Sequence, residues 1–179
     1  LLSYAILKNS KDYKKIKPAM DYSIGIIEKN ICEDGMIAYT SDKNVDERYV
    51  DTLGFVCPFL QLYSNIYAEE KFSKISLEQI NQYNKYGLLH DTYLPNHAYN
   101  PKNKLPLGVY GWGRGVAWYV IGLIDTYIEI KDSDKKLILK QNIKNVADSY
   151  INYQREDGGF GSILQNERTY DSSATAVLA

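Results

Sequence analysis

Apolar residues recur at helical spacing along most of this chain, and three times they do so in the same two-part form. An amphipathic helix with a polar face is followed by a second helix that is small and apolar on most sides. Residues 12–31 carry Ile16, Met20, Ile24 and Ile27 on one stripe, with Pro18 near the start where a helix tolerates it. Residues 49–67 follow as an apolar helix (Val50, Leu53, Phe55, Val56, Phe59, Leu60, Tyr63), interrupted only by Pro58. The second unit pairs an amphipathic helix over residues 76–86 with an apolar one over 114–130. The third pairs residues 134–154 with a helix opening at Asp171-Ser172-Ser173, where Asp171 has the chemistry of an N-cap. Residues 1–9 read as the tail of an earlier helix.

Each polar helix closes near a glycine (Gly35, Gly87, Gly158), and a short apolar piece follows: Met36-Ile37, Leu88-Leu89 and Phe160. Between them lie a polar loop over residues 41–48 and a stretch over 94–111, which holds Pro95, Pro101, Pro106 and Gly108 and reads as a long loop without pattern. A loop that long in a compact domain tends to be functional. The repeat is an α-hairpin with a polar outer helix and an apolar inner one, and stacked hairpins of this kind close into an α/α toroid. The expected fold is therefore all-α, with three hairpins present where a closed ring needs about six. Leu1 is not an initiator methionine, and the chain opens and stops inside apolar segments. Residues 1–179 are expected to be a single domain, the internal part of a longer α/α barrel.

Composition narrows the function. The chain has 179 residues, 21 basic and 22 acidic, for a net charge of −1, which argues against a nucleic-acid surface. No apolar run has the length of a membrane span, and none has the form of a signal peptide. Two cysteines, Cys32 and Cys57, make neither a disulfide framework nor a zinc site and fit a reducing, cytoplasmic compartment. Tyrosine is overused, at 17 against 4 phenylalanines, which suits either a sugar cleft or partly exposed helix faces.

In a ring of hairpins the loops leading into the inner helices gather at one mouth. Asp51, the His-bearing loop, Trp112, Arg114 and Asp171 all fall there. Gly111-Trp112-Gly113-Arg114-Gly115-Val116-Ala117-Trp118 is the densest chemistry. Arg114 and Trp118 are four residues apart, one above the other in the first turn of a helix. A cation between indole rings suits a ligand with a carboxylate to pair and a flat ring face to stack, such as an acidic sugar. A buried tryptophan pair with a structural arginine is the other reading of these residues. Asp51 opens an inner helix and is either a carboxylate serving the helix N-terminus or a general acid/base. In the second case burial must oppose the lowering of its pKa by the helix dipole. His90 and His97 flank the cluster without carboxylates at a metal-ligand spacing, so no metal is expected.

These residues resemble a known family. Trp112-Gly113-Arg114-Gly115 with Trp118, preceded by His97-Ala98-Tyr99-Asn100, is similar to the W-x-R-G-x-x-W segment of glycoside hydrolase families 88 and 105, the unsaturated glucuronyl and rhamnogalacturonyl hydrolases. Asp51-Thr52-Leu53 with Pro58-Phe59-Leu60 resembles their catalytic aspartate segment. Gln154 to Gly159 and Asp171-Ser172-Ser173-Ala174-Thr175-Ala176 resemble later motifs. The resemblance implies an (α/α)6 barrel without a cofactor, acting on an oligosaccharide with a Δ4,5-unsaturated uronic acid at its non-reducing end. It implies Asp51 as acid/base, and Trp112, Arg114, Trp118 and Ser173 as substrate-binding residues. His97 matches the family's binding histidine, with His90 as the alternative register. Some members carry a second important aspartate further upstream, a position that would precede Leu1, so this segment alone is expected to be inactive.

Two further readings accompany it. Gln154-x-x-Asp157-Gly158-Gly159-Phe160-Gly161 resembles an element of terpene cyclases and protein prenyltransferases, which are also α/α toroids. The third is an α/α scaffold that binds acidic glycans or a protein partner without turnover.

Overall fold

The computed structural model describes residues 1–42, 46–89 and 91–179. Seven α-helices dominate the described residues: α1 (Leu2–Asn9), α2 (Tyr13–Lys29), α3 (Asp51–Tyr67), α4 (Glu70–Tyr86), α5 (Gly113–Glu129), α6 (Ser133–Tyr150) and α7 (Ser172–Leu178). The hairpin repeat is the pattern that folds. Helices α3 and α5 are apolar and buried along much of their length, whereas α2, α4 and α6 bury only one stripe each. The inner helices pack in a row, α1 on α3, α3 on α5 and α5 on α7, while α4 backs α3 and α6 backs α5.

The α3–α5 contact is close because glycines face it. A Cβ on Gly122 would lie 2.9 Å from the backbone carbon of Leu53, and one on Gly54 would lie 2.9 Å from the carbonyl oxygen of Trp118. Two apolar clusters result. One joins α3, α4, α5, α6 and α7 through residues such as Leu53, Tyr83, Val120, Val146 and Leu178. The other seats Phe59, Leu60 and Tyr63 of α3 against α1, α2 and Phe72 of α4.

Caps follow side-chain chemistry. Asp12 accepts from the Lys15 amide, Asp132 from the Asp134 and Lys135 amides, and Asp171 from the Ser173 and Ala174 amides. Pro58 lies within α3 without ending it. Helix α4 begins at Glu70 and not at residue 76, because Phe72 and Ile75, set among polar neighbours, extend its apolar stripe by about two turns. After α6 the chain makes a short 3-10 turn over Ile151–Tyr153, so the regular helix ends before residue 154.

The stretch 94–111 is not a patternless loop. It forms strands β3 (Leu94–Tyr99) and β4 (Pro106–Tyr110), an antiparallel hairpin. Strand β3 also pairs with β1 (Arg48–Tyr49) and β2 (Leu88–Leu89), so it is the common partner of a four-stranded sheet. The alternation that marks a strand is missing because β3 is buried on both faces, with only His97 partly exposed between Leu94 and Tyr99. Among the described residues no helix is long and apolar enough to cross a membrane.

Candidate active site

The sheet exists to bring one strand to one helix start. The Val50 amide donates to the His97 carbonyl at 3.0 Å, which fastens the residue before Asp51 to the middle of β3. The register of the β3–β4 pair shifts between Asn96 and Ala98: Gly108 and Val109 of β4 stand against the single residue His97, so β4 carries a bulge opposite it. Gly108, at φ +76°, lies opposite; a Cβ there would come within 2.9 Å of the His97 Cβ. The bulge and the glycine together aim the imidazole at Asp51, with Nε2 3.7 Å from Oδ2.

Asp51 is 8% exposed, and its Oδ2 has no hydrogen-bond partner among the described residues. Burial raises its carboxyl pKa above the ordinary value. Its own backbone N–H, His97 and Arg114 pull the other way and do not cancel the burial. A carboxylate at a helix N-terminus, which the dipole alone would acidify, is thus held toward its protonated form.

Around Asp51 the side chains close into a ring. The Arg114 guanidinium lies over Trp112, 5.0 Å from the ring centroid. Trp112 meets His97 edge-on at 4.6 Å, and His97 meets Tyr49 at 5.0 Å. Tyr49 lies 5.5 Å from Tyr39, Tyr39 lies 5.9 Å from Phe55, and Phe55 meets Trp118 at 4.6 Å. Trp118 is one helical turn beyond Arg114, which completes the circuit, and Phe55 is one turn beyond Asp51 on α3. The two indoles therefore do not flank Arg114 as the sequence spacing suggests: Trp112 carries the cation, while Trp118 packs on Phe55 and the bare backbone of Gly54.

Arg114 is also ion-paired with Asp171, the N-cap of α7. The Asp171 side chain is 6% exposed against 47% for Arg114, so a buried anion anchors an open cation. Burial pushes the Asp171 carboxyl up, but the Ala174 amide, Arg114 and the Ser173 amide together hold it below the usual range. Ser173 is exposed at the start of α7 and donates its backbone N–H to Asp171 at 3.0 Å.

His90 lies outside the described residues. Tyr39, Tyr49 and Phe55 carry no motif. Only Phe55, four residues after Asp51, is placed on the Asp51 face by spacing alone. Among the described residues no group of three His, Cys, Asp or Glu side chains is arranged to hold a metal ion. Cavities elsewhere lack such chemistry. One of about 310 Å³ lies between the C-terminal ends of α3 and α5, and one of about 550 Å³ is lined by the Arg48–Asp34 and Lys102–Asp46 ion pairs. Residues 154–159 form a tight turn, in which the Gln154 side-chain amide donates to the Gly158 carbonyl at 2.9 Å and the Gly159 amide to Asp157 at 3.0 Å, and Arg155 ties the turn to the Thr169 carbonyl at 3.0 Å.

The family model for Glycosyl Hydrolase Family 88 matches residues 1–179. No curated protein matches the chain significantly in sequence. Among solved structures, a family 105 glycoside hydrolase from C. acetobutylicum ATCC 824 superposes with a TM-score of 0.84 at 18% identity, covering 99% of this chain and 52% of that one. A possible family 105 member from Salmonella enterica gives 0.80 at 16% identity, with coverages of 99% and 48%. The unsaturated glucuronyl hydrolase of Bacillus sp. GL1, described as responsible for the degradation of glycosaminoglycan, gives 0.76 at 18% identity, with coverages of 98% and 50%. The chain spans about half the length of these structures, and at such identities they speak for the fold alone, an (α/α)6 barrel. The whole-chain family match sets aside the cyclase reading of residues 154–161. The chain belongs to glycosyl hydrolase family 88.

Proposed function

We propose that this chain is the central part of a longer barrel hydrolase. Its substrate is an oligosaccharide ending in a Δ4,5-unsaturated uronic acid, the product of a polysaccharide lyase. The observation that carries the reading is Asp51: a buried carboxyl with an unpartnered oxygen, an elevated pKa and an arginine-bearing aromatic ring around it. A general acid needs a proton to give, and burial shifts the Asp51 carboxyl in that direction. The C4=C5 bond of the substrate is a vinyl ether. Asp51 gives its proton to C4, and positive charge develops at C5 and the ring oxygen. A water adds its oxygen to C5 and returns a proton to the Asp51 carboxylate. The hemiketal then opens and releases the remaining sugar. One carboxyl serves both steps, unlike the paired carboxylates of ordinary glycosidases.

Arg114 has the role of pairing with the uronate carboxylate through the edge that Asp171 does not use. Trp112 and Trp118 pack against the sugar, His97 hydrogen-bonds it beside Asp51, and Ser173 contributes at the α7 terminus. The free Cys32 and Cys57 support a reducing, cytoplasmic setting. The test is loss of the enol ultraviolet absorbance when the full-length protein meets a panel of lyase-generated unsaturated disaccharides. Loss that disappears on Asp51→Asn is the expected result. Binding of the disaccharides without any absorbance loss would instead make this an α/α glycan-binding scaffold.

A further inference from the structure

The ring around Asp51 has two unlike poles. At one, Arg114 and Asp171 bring opposite charges together at the start of α5 and α7. At the other, Tyr39, Tyr49 and Phe55 form a patch of rings. Tyr39 is three ring-to-ring steps from Trp112 through His97 and Tyr49 (4.6, 5.0 and 5.5 Å), and two from Trp118 through Phe55 (5.9 and 4.6 Å). It is the most open aromatic of the circuit, 52% exposed, while Tyr49, Phe55, Trp112 and Trp118 are all partly buried. Its ring packs against two others yet keeps half its surface in solvent. It comes from the short segment after Met36, Ile37 and Ala38, three buried residues fixed by the Ile31–Ile37 bridge and by the Gln79 amide oxygen, which accepts from the Ile37 N–H at 2.8 Å. An exposed tyrosine on an anchored backbone is a stationary ring face.

We infer that Tyr39 is the stacking residue for the sugar ring that adjoins the unsaturated uronyl group, and so sets preference for what that group is attached to. The inference rests on the proposed uronyl hydrolysis. If Arg114 holds the carboxylate and Asp51 faces C4, the two ends of the uronyl ring are assigned. The glycosidic oxygen on C1 then points away from the charged pole, and the ring it carries meets the aromatic one. The apolar C–H face of a sugar lies against an aromatic face without any charge to pair, which is what Tyr39 offers.

The experiment compares two substrates in the full-length protein: an unsaturated uronyl disaccharide and the methyl glycoside of the same unsaturated uronic acid, which lacks the second ring. The readout is the ratio of their kcat/KM values from enol absorbance. The wild type is expected to favour the disaccharide. Tyr39→Ala is expected to shrink that ratio about five- to tenfold, with the loss in KM for the disaccharide, and Tyr39→Phe to keep it. Circular dichroism checks that each variant is folded. An unchanged ratio in folded Tyr39→Ala, or equal loss on both substrates, overturns the inference while leaving the uronyl reading intact. Absence of turnover of either substrate by the wild type overturns both.

Discussion

The Nε2 of His97 stands 3.7 Å from the Asp51 oxygen that has no hydrogen-bond partner among the described residues. That is beyond a good hydrogen bond, so the carboxyl is approached but not neutralised. A tight ion pair would hold Asp51 ionised. A fully apolar pocket would leave it unable to exchange protons with a bound water. The bulge opposite residue 97 sets a middle course, in which burial dominates the carboxyl and the imidazole stays close enough to bind the same ligand.

Asp51→Asn is expected to lower kcat/KM by a factor on the order of a thousand, since it removes the only proposed proton donor. The same change is expected to stabilise the fold at neutral pH. The folded pKa of Asp51 is raised, so the stability this group contributes is complete at low pH and is lost as pH rises through the folded value. Asparagine never ionises and avoids that loss. Thermal unfolding at pH 4 and pH 7 checks it: the melting temperature of the variant should exceed wild type at pH 7 and converge with it at the acid end.

Activity is expected to follow the protonated fraction of Asp51, so kcat should fall on the alkaline side as pH passes its raised pKa. Arg114 lowers that pKa, and Arg114→Gln is expected to move the limb toward higher pH while weakening substrate binding. A pH–rate profile of each protein at saturating substrate reads the shift. Movement toward lower pH would contradict the electrostatic account.

Asp171 both caps α7 and pairs with Arg114, and two variants separate these roles. Asp171→Asn keeps a capping oxygen, and Asp171→Ala loses it, at a further cost of about 1 kcal/mol. The folded pKa of Asp171 is lowered, so its stabilisation is present above the unfolded carboxyl pKa and fades as pH falls through the folded value. Denaturant melts of wild type and Asp171→Asn should therefore differ at pH 7 and approach each other on acidification.

The α3–α5 contact predicts an asymmetry among glycines. Gly122→Ala places a methyl 2.9 Å from the Leu53 carbonyl carbon and 3.0 Å from the Gly54 nitrogen, backbone atoms that cannot turn aside. It is expected to cost about 1–3 kcal/mol by forcing the inner helices apart. Gly25→Ala in α2 meets nothing within 4 Å and should gain about 0.5–1 kcal/mol from helix propensity. Chemical denaturation of the two variants, read against wild type, decides it.

The sequence by itself determined the hairpin repeat, because a 3.6-residue period and the contrast between one-sided and all-round apolar helices are local properties. It also determined that Asp51, His97, Trp112, Arg114 and Asp171 precede or open inner helices, and hence share one end of the fold. Only the tertiary structure decided how they meet. β3 is buried on both faces, so its residues lack alternation, and the hairpin that aims His97 is recognisable only once β1, β2 and β4 are paired to it. Trp118 is one turn from Arg114 in the chain yet spends its face on Phe55, because the glycine at position 54 of the neighbouring helix leaves room for an indole there. The elevated pKa of Asp51 is the clearest case. The helix start that sequence shows would lower it, and only the burial that tertiary packing supplies raises it.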